Sequence, residues 1–184
     1  MIRKINKNIV YFFVFGLIQL VLGTEVVFAQ NKLISSKVTF KIENAGLTVN
    51  GSFSGLSTNI NFNPEKYATA KIEGTLPVAT IKTGNSIRDN HLQKKEYFDA
   101  VAYPEIQMVS KFFGKSGNDY KGYFLLTMKG ITKDVVIPFT AVNKDENLVL
   151  TANFELNRQD FKVGGNSLIL DDKVFIIIVL EIAP

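Results

Sequence analysis

"NLVLTANFEL", residues 147–156, decides the fold. Leu148, Leu150, Ala152, Phe154 and Leu156 recur at every second position. That period carries apolar side chains to one face of an extended strand, whereas a helix would spread the same residues around its cylinder. The pattern repeats in both directions along the chain. Val38, Phe40 and Ile42 share a face within 37–43, and Ile72, Gly74 and Leu76 do so within 71–76. Ile106, Met108 and Phe112 align within 105–112, Phe124, Leu126 and Met128 within 121–129, and Val135, Ile137 and Phe139 within 134–141. Val174, Ile176, Ile178 and Leu180 close the series within 173–181. Turn-forming groups such as Gly117-Asn118-Asp119 and Lys144-Asp145-Glu146 separate these runs. Residues 47–62 leave a choice: Asn50-Gly51 reads as a tight hairpin turn, or as a bulge or short helical turn feeding a strand over 52–62, the preferred reading. Eight or nine strands follow, which predicts an all-β antiparallel barrel or sandwich. At that number a closed barrel can fill its interior or hold one small ligand, and closure removes exposed edges.

The chain has 184 residues, is 46% hydrophobic and 21% charged, and reads as one domain with a substantial core. Residues 1–30 are expected to be a secretory signal peptide: Arg3, Lys4 and Lys7 precede an apolar run from Ile9 to Leu22, and Val27-Phe28-Ala29 ends on a small residue. The apolar run is shorter than the ~20 residues a membrane span needs. Residues 31–184 then form the folded domain, exported to the periplasm or cell envelope, with no membrane span after cleavage. Without residues 1–30 the balance of 21 basic and 17 acidic residues loses three of the former and one of the latter, leaving +2. No dense basic stripe with interleaved aromatics points to nucleic acid. The chain has no cysteine, which excludes thiol chemistry, disulfides and cysteine-ligated metals.

Two stretches break the strand pattern. One is "TGNSIRDNHLQKKEYFDAVAYPEI", residues 83–106, which holds the only histidine, His91. A short helix is expected over 90–98, with Asn90 and Gln93 as a weak capping pair and Pro104 opening the next strand. The other is "NRQDFKVGGNSLILDD", residues 157–172, a long loop with paired glycines. Neither carries a nucleophile–base set. No second histidine or His-Glu-x-x-His motif accompanies His91, and Ser86 has no nucleophile-elbow surroundings. Gly114-Lys115-Ser116 ends like a phosphate loop, but Val109 stands where its first glycine is required. The reading is therefore not of an enzyme, and no metal or cofactor is expected. His91 is expected to hydrogen-bond loop backbone.

The first stretch resembles the signature of the YceI-like family: Thr83-Gly84, then Arg88-Asp89-Asn90-His91-Leu92, Phe98-Asp99 and Tyr103-Pro104-Glu105-Ile106. Gly51-Ser52-Phe53, Ile60-Asn61-Phe62-Asn63-Pro64, the hairpin Leu126 to Lys133 and the loop Asn157 to Gly164 match further family motifs in order. The likeness runs from about residue 36 to the C-terminus. Many relatives carry Lys-His before the glycine that follows the first strand; here Glu43-Asn44-Ala45-Gly46 has no histidine. The resemblance implies an eight-stranded lipocalin-like barrel with an elongated apolar cavity, binding a polyisoprenoid, an isoprenoid quinone or a fatty acid derivative. The expected lining is Phe40, Ile42, Phe62, Ile72, Leu76, Met108, Phe124, Leu126, Val135, Ile137, Phe139, Phe154, Leu156, Ile176 and Ile178. Arg88, Asp89, His91, Phe98, Asp99, Arg158 and Asp160 are the barrel-end and head-group candidates. Arg88 and Arg158 are expected to pair with Asp89, Asp99 or Asp160. A homodimer is left open. The rival reading is an envelope interaction module with a filled core, acting through its surface.

Overall fold

A computed structural model of the protein describes residues 30–184; the expected signal peptide lies outside these apart from its last residue. Nine strands form one antiparallel sheet: β1 (Lys32–Asn44), β2 (Leu47–Phe53), β3 (Ser57–Asn61), β4 (Lys71–Pro77), β5 (Glu105–Ser116), β6 (Asp119–Met128), β7 (Ile131–Lys144), β8 (Asn147–Asn157) and β9 (Lys173–Ala183). Their order is β2-β1-β9-β8-β7-β6-β5-β4-β3. Among the described residues the fold is thus all-β, antiparallel and curled like a barrel, with one short α-helix, α1 (Ser86–Leu92).

The ninth strand has a local cause. β2 and β3 are the two edges of the sheet and also neighbours in the chain, so together they act as one interrupted strand. Its first half pairs with β1 and its second half with β4. Single bridges, Ser52 with Lys82 and Asn31 with Ile60, draw the two edges together. The break lies at 54–56, where Gly55 has φ +73°. Asn50-Gly51 is neither turn nor bulge but continuous strand, opposite Lys41 and Phe40. The hairpin turn is Ala45-Gly46, with φ of 51° and 76°, closing on the pair Asn44 and Leu47.

β5 corrects a second expectation. Its register against β6 shifts between Ser110 and Phe112, so Lys111 is an extra residue. The bulge breaks the period of two. Phe112 turns outward, 52% exposed, and Phe113 takes the inward place. Outside, Phe112 stacks on Tyr123 with centroids 4.1 Å apart.

One end of the barrel is filled. Phe62 meets Phe113, Tyr120 and Phe139 with ring centroids 5.9, 5.3 and 5.4 Å apart, mostly edge to face. Ile60, Phe124, Ile137, Leu150 and Ile182 complete this core. The other end is covered by residues 78–104 and 158–172. Within the first cover, the helix begins earlier than expected, at Ser86, because Asn85 rather than Asn90 caps it: its side-chain oxygen accepts from the Arg88 N–H at 3.0 Å.

Candidate functional site: an apolar cavity under two cover segments

Between the filled core and the covers lies a cavity of about 260 Å³. Phe40, Ile42, Ile72, Leu76, Met108, Leu126, Phe154, Leu156, Ile176 and Ile178 stand on its wall. Phe62, Phe124, Val135, Ile137 and Phe139 do not. Phe62 and Val135 pack in the core, while Phe124, Ile137 and Phe139 border a separate void of about 50 Å³ within it. The inward row of each strand crosses both ends of the barrel, and near the filled end aromatic rings close on one another instead of leaving space.

Other wall residues escaped the sequence reading. Val38, Ile106, Met128, Val174 and Leu180 share rows with residues that were chosen, so period two could have found them. Phe53, Ile81, Tyr97, Phe161, Val163 and Leu170 come from segments with no such period or from the end of β2. Phe53 stands between Phe40 and Phe98, at 5.6 and 6.0 Å.

Polar side chains reach the cavity from the covers. Arg88, His91 and Arg158 are on its wall, with Thr83 and Phe98. Thr83 is a relay. Its backbone N–H and its hydroxyl donate to Asp89 Oδ1 at 2.8 and 2.6 Å, and the same hydroxyl accepts from Arg88 Nε at 2.8 Å. Arg88 Nη2 donates to the Thr83 carbonyl at 2.8 Å. Arg88 therefore couples to Asp89 through Thr83, not by a direct ion pair. The Thr83 hydroxyl foremost holds the Asp89 carboxyl below its ordinary value, helped by the Thr83 N–H and by the charges of Lys82 and Arg88; burial opposes them.

Arg158 is buried and wholly engaged. Nε donates to the Asp171 carbonyl at 2.8 Å, Nη1 to those of Val163 and Gly165 at 2.8 and 2.6 Å, and Nη2 to that of Leu170 at 3.1 Å. Its ion pair is with Asp172, Nη2 to Oδ1 at 2.8 Å, not with Asp160, which is exposed. Asp99 pairs with neither arginine. With φ 51° it turns the chain, and its carbonyl accepts from Ala102 and Tyr103. His91 packs its ring against Tyr97, centroids 5.0 Å apart, in place of the expected bond to loop backbone.

The covers are tied together. Gly164 N–H donates to the Glu96 carbonyl at 2.9 Å, and Lys129 Nζ, from the β6–β7 turn, donates to the carbonyls of Glu96 and Lys162 at 3.3 and 2.8 Å. Burial pushes the Lys129 ammonium below its ordinary value, against the charges of Asp99 and Glu96.

The YceI-like domain model matches residues 32–182, the span of the whole sheet. The chain belongs to the YceI-like family. It is 31% identical over 101 residues to a UPF0312 protein of Photorhabdus laumondii, covering 54% of this chain and about half, 53%, of that one. A UPF0312 protein of Pseudomonas fluorescens is 32% identical over 137 residues, covering 67% and 69%. Among solved structures, Burkholderia cenocepacia BcnA superposes with a TM-score of 0.76 at 27% identity, over 79% of this YceI-like chain and 95% of BcnA. A polyisoprenoid binding domain from Saccharophagus degradans, implicated in plant cell wall breakdown, superposes at 0.67 over 84% and 98%; at 11% identity it bears on the YceI-like fold alone.

Proposed function

We propose that this protein binds and carries a long-chain amphiphilic lipid, a polyisoprenoid, isoprenoid quinone or fatty acid derivative, without catalysis, after export to the cell envelope. The observation that carries this reading is the cavity of about 260 Å³ with a largely apolar wall and with Arg88, His91 and Arg158 on it at the cover end. Each methylene moved from water into it gains ~0.8 kcal/mol, so a chain is held without strong polar contacts. A hydrated head group fits the cover end, where charge is not stranded among apolar side chains. Arg88 is the head-group contact in this reading. Among the described residues its Nη1 has no hydrogen-bond acceptor, whereas every nitrogen of Arg158 is engaged. Polyisoprenoids are the first class to offer, because a domain of the same fold binds one; the open cavity weighs against a filled module acting only through its surface.

The test is native mass spectrometry of protein purified from its own envelope, followed by organic extraction. A stoichiometric prenyl or long-chain adduct is the expected result. A clean unliganded mass, with no uptake of offered prenyl or fatty lipids, overturns the reading.

A further inference from the structure

The covered end of the barrel presents large aliphatic side chains to solvent. Leu168 is 106% exposed, Ile169 62%, Leu47 72% and Ile87 81%. Leu47 is in the β1–β2 hairpin, and Leu168 and Ile169 are in the β8–β9 loop. These two segments are joined: Ala45 N–H donates to the Ile169 carbonyl at 2.7 Å, and Asn44 bridges Leu170. Ile87 precedes the wall residue Arg88 on α1, at the same end. Exposed apolar side chains grouped in this way mark an interaction surface.

The tip is held in shape, not left loose. The Ile169 and Leu170 N–H groups donate to Ser167 Oγ at 3.3 and 3.0 Å. The carbonyls of Gly165 and Leu170 accept from the buried Arg158. The tip itself carries no charge; Glu43, Lys162 and Asp171 flank it, and the Glu43 carboxylate accepts from the Thr48 hydroxyl. Residues 44–50, "NAGLTVN", and 163–170, "VGGNSLIL", contain no ionisable side chain. Leu170, between the exposed Ile169 and the Arg158 clamp, lies on the cavity wall, as does Asn44.

These observations select a lipid surface over a protein partner. A protruding tip gives a protein little shape to match, but it can dissolve in an acyl layer. It brings no charge that would have to leave water. Several of its backbone groups are already bonded, which lowers the cost of entering a medium that offers none. It also adjoins the cavity that must receive its lipid from a membrane.

We infer that the tip formed by Leu47, Leu168 and Ile169, with Ile87 beside it, inserts into the membrane surface and docks the end of the cavity on the bilayer. This rests on the lipid-carrying reading, and the test separates the two. The probes are plain vesicles of phosphatidylethanolamine and phosphatidylglycerol, for flotation, and a fluorescent prenyl lipid offered from dilute detergent, for cavity uptake. The variants are Leu168→Ser with Ile169→Ser and, as a control on the outer face of β7, Val136→Ser with Val142→Ser, residues that are 52% and 59% exposed. All four substitutions fall on the surface, so melting temperatures are expected to stay close to native. The native protein and the β7 control float with vesicles. The tip variant loses at least about tenfold in bound fraction, as expected from removing two inserted aliphatic side chains, and keeps its uptake from detergent. Failure of the native protein to float, flotation of the tip variant at the native level, or an equal loss in the β7 control overturns membrane docking. Tip-specific flotation without prenyl uptake by any of the proteins supports docking while sinking the cavity reading.

Discussion

Arg158 contacts four backbone carbonyls and one carboxylate, all within the loop it helps to close. Removing a buried guanidinium strands those acceptors. Arg158→Lys leaves a single point charge that cannot reach groups lying in several directions. Both Arg158→Lys and Arg158→Ala are expected to lose about 3 kcal/mol or more, read as a lower midpoint in urea. A near-native midpoint would show that the loop stands without its clamp. Asp89 makes a different prediction. Its carboxyl is depressed in the fold from the ordinary 3.8, so the unfolded chain binds the proton more readily than the native one. The resulting stability is fully present above that ordinary value and is lost as pH falls through the folded one. The gap in melting temperature between native protein and Asp89→Asn is therefore widest near neutral pH and narrows in acid. A gap that is constant with pH would refute the assignment. The acidic partners foreseen for Arg88 and Arg158, namely Asp89, Asp99 and Asp160, were near them in sequence or in the signature. The real partner of Arg158, Asp172, is reached only when the loop folds back, and no local pattern announces that.

At the scale of elements, Gly51 shows how a strand sets the cavity. It faces Phe40 across β1 and β2, and the Phe40 ring lies where a Cβ on residue 51 would be. Phe40 is also on the cavity wall. Gly51→Ala must displace that ring, and overpacking of this kind costs about 1–3 kcal/mol. The variant is expected to melt lower and to take up less of a long-chain fluorescent lipid. Unchanged uptake would mean that the ring moves away from the cavity. In the sequence, Asn50-Gly51 looks like a turn because glycine adjacent to asparagine usually serves backbone freedom. Here the glycine serves close approach, and the turn belongs to Ala45-Gly46. Strand faces were legible wherever the period of two was unbroken, as in β8 and β9. In β5 the adjacent Phe112 and Phe113 offered two equal choices, and only the extra residue Lys111 decides between them.

The whole molecule divides its interior, and this division could not be read from one apolar row per strand. Phe62 and Phe154 occupy the same kind of sequence position, yet Phe62 is 2% exposed among three other rings while Phe154 faces the cavity. What separates them is where they stand along the barrel, Phe62 just past the end of β3 and Phe154 within β8, which depends on the register of all nine strands. Their substitutions should therefore diverge. Phe62→Ala opens a hole in packed aromatic core and is expected to cost about 3–5 kcal/mol. At about 2–4 °C per kcal/mol for a chain of this size, that lowers the melting temperature by roughly 10 °C. Phe154→Leu keeps an apolar side chain beside space that already exists, and is expected to cost less than about 1.5 kcal/mol. Its effect falls on the ligand instead: the freed volume alters which chain lengths are retained after extraction. Phe62→Ala, assayed well below its melting point, is expected to retain the native set. Calorimetry with lipid extraction on the two variants reads both quantities. If Phe154→Leu destabilises as much as Phe62→Ala and leaves the retained lipids unchanged, the two ends of the barrel are one continuous core and the cavity has no occupant to select.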